Sequence, residues 1–131
     1  MVIISAFLLI YCGGQKKKIE QIFDEAQQMA GQQKFNEAIE LYKQVIDGFP
    51  KSDKTAQAQF LIAFILSENL KDYAAAEQEY ARFIEIYPNH ELVESAKFQK
   101  EHLGKPLEEL PFFKDSLNLR EDSIVHVDSG S

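Results

Sequence analysis

Tryptophan is absent from this 131-residue chain, cysteine occurs once and histidine three times. A single cysteine, Cys12, excludes an intramolecular disulfide, so any fold must be held by packing alone. Basic residues are also short, 14 against 21 acidic ones for a net charge of −7. A protein that neutralises phosphates needs a clustered surplus of Lys and Arg, so nucleic acid is excluded as a partner. No Gly-rich phosphate loop or nucleophile elbow is present. His90, His102 and His126 have no metal-ligand spacing, and the first two, twelve positions apart, lie on different faces of one helix. Glu91, Glu94, Glu108 and Glu109 read as solvated helix charges, because a carboxylate pair needs a shaped cleft to separate its pKa values. No catalytic residue, metal or cofactor is therefore expected. What remains, 45% hydrophobic and 27% charged residues, is the composition of one foldable domain with tails.

The N-terminus has its own character. Residues 1–11 contain no Lys, Arg, Asp or Glu. A spanning helix needs roughly 20 apolar residues, so this stretch is too short to cross a bilayer and has the length of a signal-peptide hydrophobic core. Leu9-Ile10-Tyr11-Cys12 resembles a lipobox, although Tyr11 stands where that motif has a small residue and no basic residue precedes the core. The resemblance implies residues 1–12 as a lipoprotein signal ending at a lipidated, palmitate-bearing Cys12. Gly13, following the cysteine, implies the outer membrane, because an aspartate there marks inner-membrane retention. Residues 13–18, with Lys16, Lys17 and Lys18, read as a polar tether.

From Ile19 the apolar period becomes helical. Ile19, Ile22, Phe23, Ala26, Met29 and Ala30 follow the i, i+3, i+4, i+7 rule, and after Gly31-Gln32-Gln33 a second stripe runs from Phe35 through Ala38, Leu41, Tyr42, Val45 and Ile46 to Phe49. The unit then recurs thirty-eight positions on: Phe35 as Tyr73, Ala38 as Ala76, Tyr42 as Tyr80, Val45 as Phe83, Ile46 as Ile84, Phe49 as Tyr87 and Pro50 as Pro88. Ala58 and Phe60 recur as Ala96 and Phe98, which starts a third unit that stops near Gly104. Ser52, Asp72 and Asn89 or His90 stand where helix N-caps belong. Five helices are expected, near 17–31, 34–48, 53–69, 72–87 and 90–103. A short turn around 107–110 and a disordered stretch from Phe112 complete residues 105–131.

Ala38, Tyr42 and Pro50, then Ala76, Tyr80 and Pro88, resemble the tetratricopeptide repeat. In that repeat a small residue lets the second helix approach the first, an aromatic fills the hairpin and a proline closes the unit. The common repeat has 34 residues, and the four extra residues here are expected as an added turn at the start of the helix containing Ala56 and Ala58. "FPKSDKTAQAQF" and "YPNHELVESAKF" resemble the longer repeats of the BamD lipoproteins of outer-membrane β-barrel assembly, and also the repeat domain of the Tol-Pal coordinator. The resemblance implies an all-α fold over residues 19–104, with two full repeats and a capping helix forming a short right-handed α-solenoid whose concave face binds protein segments.

The helix from Asp53 carries seven consecutive apolar residues, Phe60 to Leu66. Phe60, Ala63 and Phe64 suit the hairpin core by register, which leaves Leu61, Ile62 and Ile65 towards the groove, extended by Phe23, Gln27 and Ala30 of the first helix. These six are the expected protein-binding residues. The covers open to them are a partner's helix or peptide, a second copy of the chain, or the chain's own segment through Phe112 and Phe113. The implied function is a non-catalytic scaffold, anchored by lipid on the periplasmic side of the outer membrane, whose partner is an outer-membrane assembly component. The other reading is a structural lipoprotein that forms homodimers and has no dedicated client.

Overall fold

The computed structural model describes residues 4–50 and 52–106, with 4–13 and Gln15 described in backbone only. The expected turn at 107–110 and the stretch from Phe112 lie outside the described residues. Those residues form five helices and no strand: α1 (Ile4–Gly31), α2 (Phe35–Gly48), α3 (Asp53–Phe64, continued by a π-helical turn, Ile65–Asn69), α4 (Tyr73–Ile86) and α5 (Val93–Glu101). Each helix packs on the next, and α1 also touches α3. The arrangement is the all-α helical repeat that the tetratricopeptide resemblance implies.

Four helix boundaries fall within three residues of expectation, and α1 does not. Residues 13–18, expected as a tether, are helical and continuous with the segments on either side. Two glycines cost about 1 kcal/mol each in a helix interior, whereas the flanking Leu, Gln and Lys residues are good helix formers.

The hairpins close on matching cores. Ile19, Phe23 and Ala26 of α1 meet Ala38, Tyr42 and Val45 of α2, and Ala58, Ile62 and Ile65 of α3 complete this first core. Ala56 and Ala63 of α3 meet Ala76, Tyr80 and Phe83 of α4 in the second, which Val93 and Ala96 of α5 complete. Ala38 and Ala76 are fully buried, as close helix approach requires.

The repeat is written into the backbone as well. Ala38 N–H donates to Lys34 O at 3.0 Å and Ala76 N–H to Asp72 O at 2.9 Å; Ser52 N–H donates to Phe49 O at 3.1 Å and His90 N–H to Tyr87 O at 3.0 Å. Ser52 Oγ caps α3 by accepting from Lys54 N–H, and His90 Nδ1 accepts from Leu92 N–H at 3.1 Å in the corresponding place. Gln33 and Lys71, also thirty-eight apart, both lie in the left-handed region, with φ of 63° and 57°.

One departure breaks this regularity. Phe23 meets Tyr42 edge to face at 5.4 Å, and Phe60 meets Tyr80 in the same way at 5.6 Å. Tyr42 and Tyr80 are thirty-eight apart, but Phe23 and Phe60 are thirty-seven apart, as are Ile19 and Ala56, and Ala26 and Ala63. The second hairpin therefore holds one more residue between Ala63 and Lys71 than the first holds between Ala26 and Gln33. The π turn at Ile65–Asn69 lies in that interval, and a π turn absorbs a single inserted residue. The helix ends record it: Lys34 N–H reaches back to Met29 O in the first hairpin, while Asp72 N–H reaches one residue further, to Leu66 O.

Candidate protein-interaction groove

Helix α3 lies between α2 and α4, so two of its faces are consumed. Ala58, Ile62 and Ile65 belong to the first core, and Ala56 and Ala63, with Phe60 packed against them, to the second. What remains is the stripe Gln57, Leu61 and Phe64, at i, i+4, i+7 spacing. Gln57 and Leu61 are half-buried and Phe64 is 37% exposed. On α1, Ile19, Phe23 and Ala26 turn inward and leave Glu20, Asp24 and Gln27 outward.

The two stripes run side by side. Glu20 and Gln57 both line an open cavity of about 860 Å³, which is also lined by Lys16 and Ile19 of α1, by Gly48, Phe49 and Pro50 at the end of α2, and by Ser52, Asp53 and Lys54 of the next turn. Lys54 fixes the junction. Its Nζ lies 4.4 Å from the centre of the Phe23 ring and 3.5 Å from Glu20 Oε2, so one cation ties α3 to α1. The Thr55 hydroxyl donates to Phe49 O, and Gln59 Nε2 donates to Glu79 Oε2 on α4. These bonds satisfy the buried polar groups of a helix packed on both sides.

The structure divides the six residues expected to bind protein. Phe23, Ile62 and Ile65 are 2%, 3% and 4% exposed and lie together in the first core, so they do not face an open groove. Ala30 and Leu61 are half-buried against the same core, and Gln27 is exposed. Phe64, placed by register in the hairpin, is instead on the open stripe. A run of seven apolar residues has no polar face by which to orient it, and its facing is set by neighbours on both sides. Aligning Ala56, Phe60 and Ala63 with Ile19, Phe23 and Ala26 would have placed Phe64 level with the exposed Gln27.

Cys12 lies in the helical backbone of α1, its side chain outside the description. His90 accepts from Leu92 N–H in the turn before α5 and packs against Phe83 at 5.5 Å, while His102 stacks on Phe98 at 4.2 Å. Among the described residues no three His, Cys, Asp or Glu side chains gather in a way that could hold a metal ion. No described helix is long and apolar enough to cross a membrane. Burial pushes the Tyr42 phenol up to about 12 and raises those of Tyr80 and Tyr87, all three in the packing of the hairpins. The site is therefore a surface with an apolar centre, polar flanks and a cavity at one end. The sequence model of the YfiO family, described as outer membrane lipoprotein, matches residues 15–101. No curated protein matches the chain.

Proposed function

Because the chain belongs to the YfiO family of BamD-like outer membrane lipoproteins, we propose that it is a non-catalytic scaffold that holds a protein segment in the groove between α1 and α3 during envelope or outer-membrane protein assembly. The observation that carries this reading is the open stripe of Gln57, Leu61 and Phe64 beside the cavity, in a helix whose other faces are filled. Phe64 is an aromatic side chain of the kind that acts as an anchor in protein interfaces, where a few such residues carry most of the binding energy.

In this proposal residues 1–12 form the signal, Cys12 carries the lipid, and the repeats stand on the periplasmic side of the outer membrane. The helical stretch from Cys12 to Ile19 then acts as a short stiff post, about 10 Å long at 1.5 Å per residue. The cavity would open close to the headgroups. Two or more acyl chains suffice for stable anchoring.

Site-specific photocrosslinking in native envelopes tests the reading. A photoreactive residue at Phe64 or Gln27 is expected to give a discrete adduct with an envelope protein, and the same residue at exposed Glu85, on α4, is expected to give none. Equal labelling from all three positions, or from Glu85 alone, would remove the groove from the account.

A further inference from the structure

The last helix among the described residues, α5, presents a second surface. Val93 and Ala96 of α5 bury against α4 as Thr55 and Ala58 of α3 bury on the side of α2, and the backbone bonds that start both helices correspond at thirty-eight residues: Thr55 N–H to Ser52 O at 2.9 Å, and Val93 N–H to His90 O at 3.0 Å. In that register Phe98 corresponds to Phe60. Phe60 packs edge to face on Tyr80 and Phe83 of the following helix. Phe98 is 51% exposed and touches His102, one turn on, with the rings stacked at 4.2 Å. Where the two complete hairpins supply Ala and Tyr from their second helices, the sequence thirty-eight positions further on has Lys114 and Asn118. The pattern that covers Phe23 and Phe60 is not repeated for Phe98.

We propose that this face pairs with the same face of a second copy, α5 against α5 in antiparallel orientation about a two-fold axis at Phe98. Along Glu94, Phe98 and His102 the charges are complementary to themselves in that orientation, with Lys97 beside the stripe and 2.8 Å from Glu94 Oε1. Glu94, Phe98 and His102 follow one another at i, i+4, i+8, so they lie on one side of the helix. Antiparallel pairing centred on Phe98 places each Glu94 opposite the other copy's His102, and the two phenyl rings meet on the axis. His102 Nδ1 lies 2.8 Å from Phe98 O, which holds the ring against the aromatic and leaves Nε2 to share a proton with a facing carboxylate. Parallel pairing would set Glu94 against Glu94. A second copy cannot instead lend its α2 or α4, since Tyr42 and Tyr80 are already buried in their own hairpins. The pairing is independent of the groove, which stays open in each copy.

A contact of one short helix per copy buries less than a standard interface, so the dimer is weak, with a dissociation constant on the order of 100 µM, and membrane anchoring would raise its effective concentration. The test is sedimentation equilibrium of the full chain in density-matched detergent micelles. A reversible monomer–dimer equilibrium is expected. Phe98→Ser and Glu94→Lys should each weaken it at least ~10-fold, the scale of losing a central anchor or reversing an opposed charge. The double variant Glu94→Lys/His102→Glu should restore it to within about threefold, because the swapped charges again face each other. All positions changed are solvent-accessible, and circular dichroism melting should show the variants folded. A chain that stays monomeric up to ~1 mM, a dimer indifferent to Phe98→Ser, or a double variant that remains dissociated would each overturn the proposal. So would a monomer in which Phe98→Cys, with Cys12→Ser, resists maleimide, since the face would then be covered from within the chain.

Discussion

Phe23 on α1 and Tyr42 on α2 meet edge to face with an interplanar angle of 66°, and Phe60 and Tyr80 reproduce the contact at 67°. The first pair is nineteen residues apart in sequence and the second is twenty. Geometry is thus conserved within the molecule where spacing is not. Edge-to-face pairs contribute about 0.5–1.5 kcal/mol beyond the area they bury, so each hairpin gains by keeping its ring contact and moving the extra residue elsewhere.

The Tyr42 hydroxyl gives this core a pH signature. Burial raises its pKa from 10.0 to about 12. The native state then keeps the phenol proton over a range in which the unfolded chain has released it. Stability is unaffected below pH 10 and falls as pH rises from about 10 to about 12, by on the order of 2 to 3 kcal/mol for this group. Urea unfolding midpoints measured from pH 9 to 12 should drop less steeply in Tyr42→Phe than in the parent. Parallel curves would show that the phenol is not desolvated as the packing requires.

The same residues show which parts of the fold could be read from sequence. Ala38, Tyr42 and Pro50 matched Ala76, Tyr80 and Pro88 because each has a job that few side chains can do, so the second helices and their ends were legible. Helix α3 was legible as a helix but not in its facing. Ile62 and Ile65 look like a groove when counted from one hairpin, yet they are core because α2 lies behind them. The inserted residue was hidden for a related reason. Matching at a single offset aligns Phe60 with Phe98, which share a register but not an environment, and passes over Phe23, which shares the environment at an offset one shorter.

The left-handed residues at the hairpin turns offer a direct gain. Gln33 and Lys71 adopt φ of 63° and 57°. An L-residue there costs roughly 1–2 kcal/mol, and glycine removes that strain while adding about 0.5–1 kcal/mol of unfolded-state entropy. Gln33→Gly and Lys71→Gly should each stabilise by about 0.5–1 kcal/mol, raising the melting temperature by roughly 2 to 8 °C. Lys71→Val should do the reverse. Gly104, at φ 69°, already uses this freedom, and a Cβ there would lie 3.1 Å from the Tyr73 ring. Gly104→Ala should therefore lower the melting temperature.

Close approach of the paired helices sets a size limit at two positions. Ala38 and Ala76 are 0% exposed at the centres of their hairpins. Ala38→Leu or Ala76→Leu would push three carbons into space already filled by aromatic rings, at a cost of about 1–3 kcal/mol or more. Exposed Ala74, two residues earlier on α4, should accept Leu without loss. A thermal melt that moves equally for Ala74→Leu and Ala76→Leu would show that the second hairpin is not packed as described.

If the π turn is one residue added to an otherwise α-helical design, removing one residue there should return the second hairpin to the geometry of the first. Glu68 is the residue to delete, because it is exposed and the turn around it already carries the surplus. Its loss leaves Ala56, Phe60 and Ala63 of α3 in place against α4 and shortens only the path to Lys71. The expected cost is about 1–2 kcal/mol, chiefly from re-siting Ser67, whose hydroxyl bonds Phe64 O at 3.0 Å. Deleting Asp24 from α1 is the counterpart. That helix has no surplus, so one residue fewer turns Ile19 and Phe23 by about 100° relative to Ala26 and takes Phe23 out of contact with Tyr42. Loss of that ring from the core costs about 3–5 kcal/mol. Differential scanning calorimetry should show the Glu68 deletion still melting cooperatively near the parent temperature, and the Asp24 deletion far below it or without a transition. Equal damage from both deletions would mean that the π turn is required by the second hairpin and is not a residue to spare.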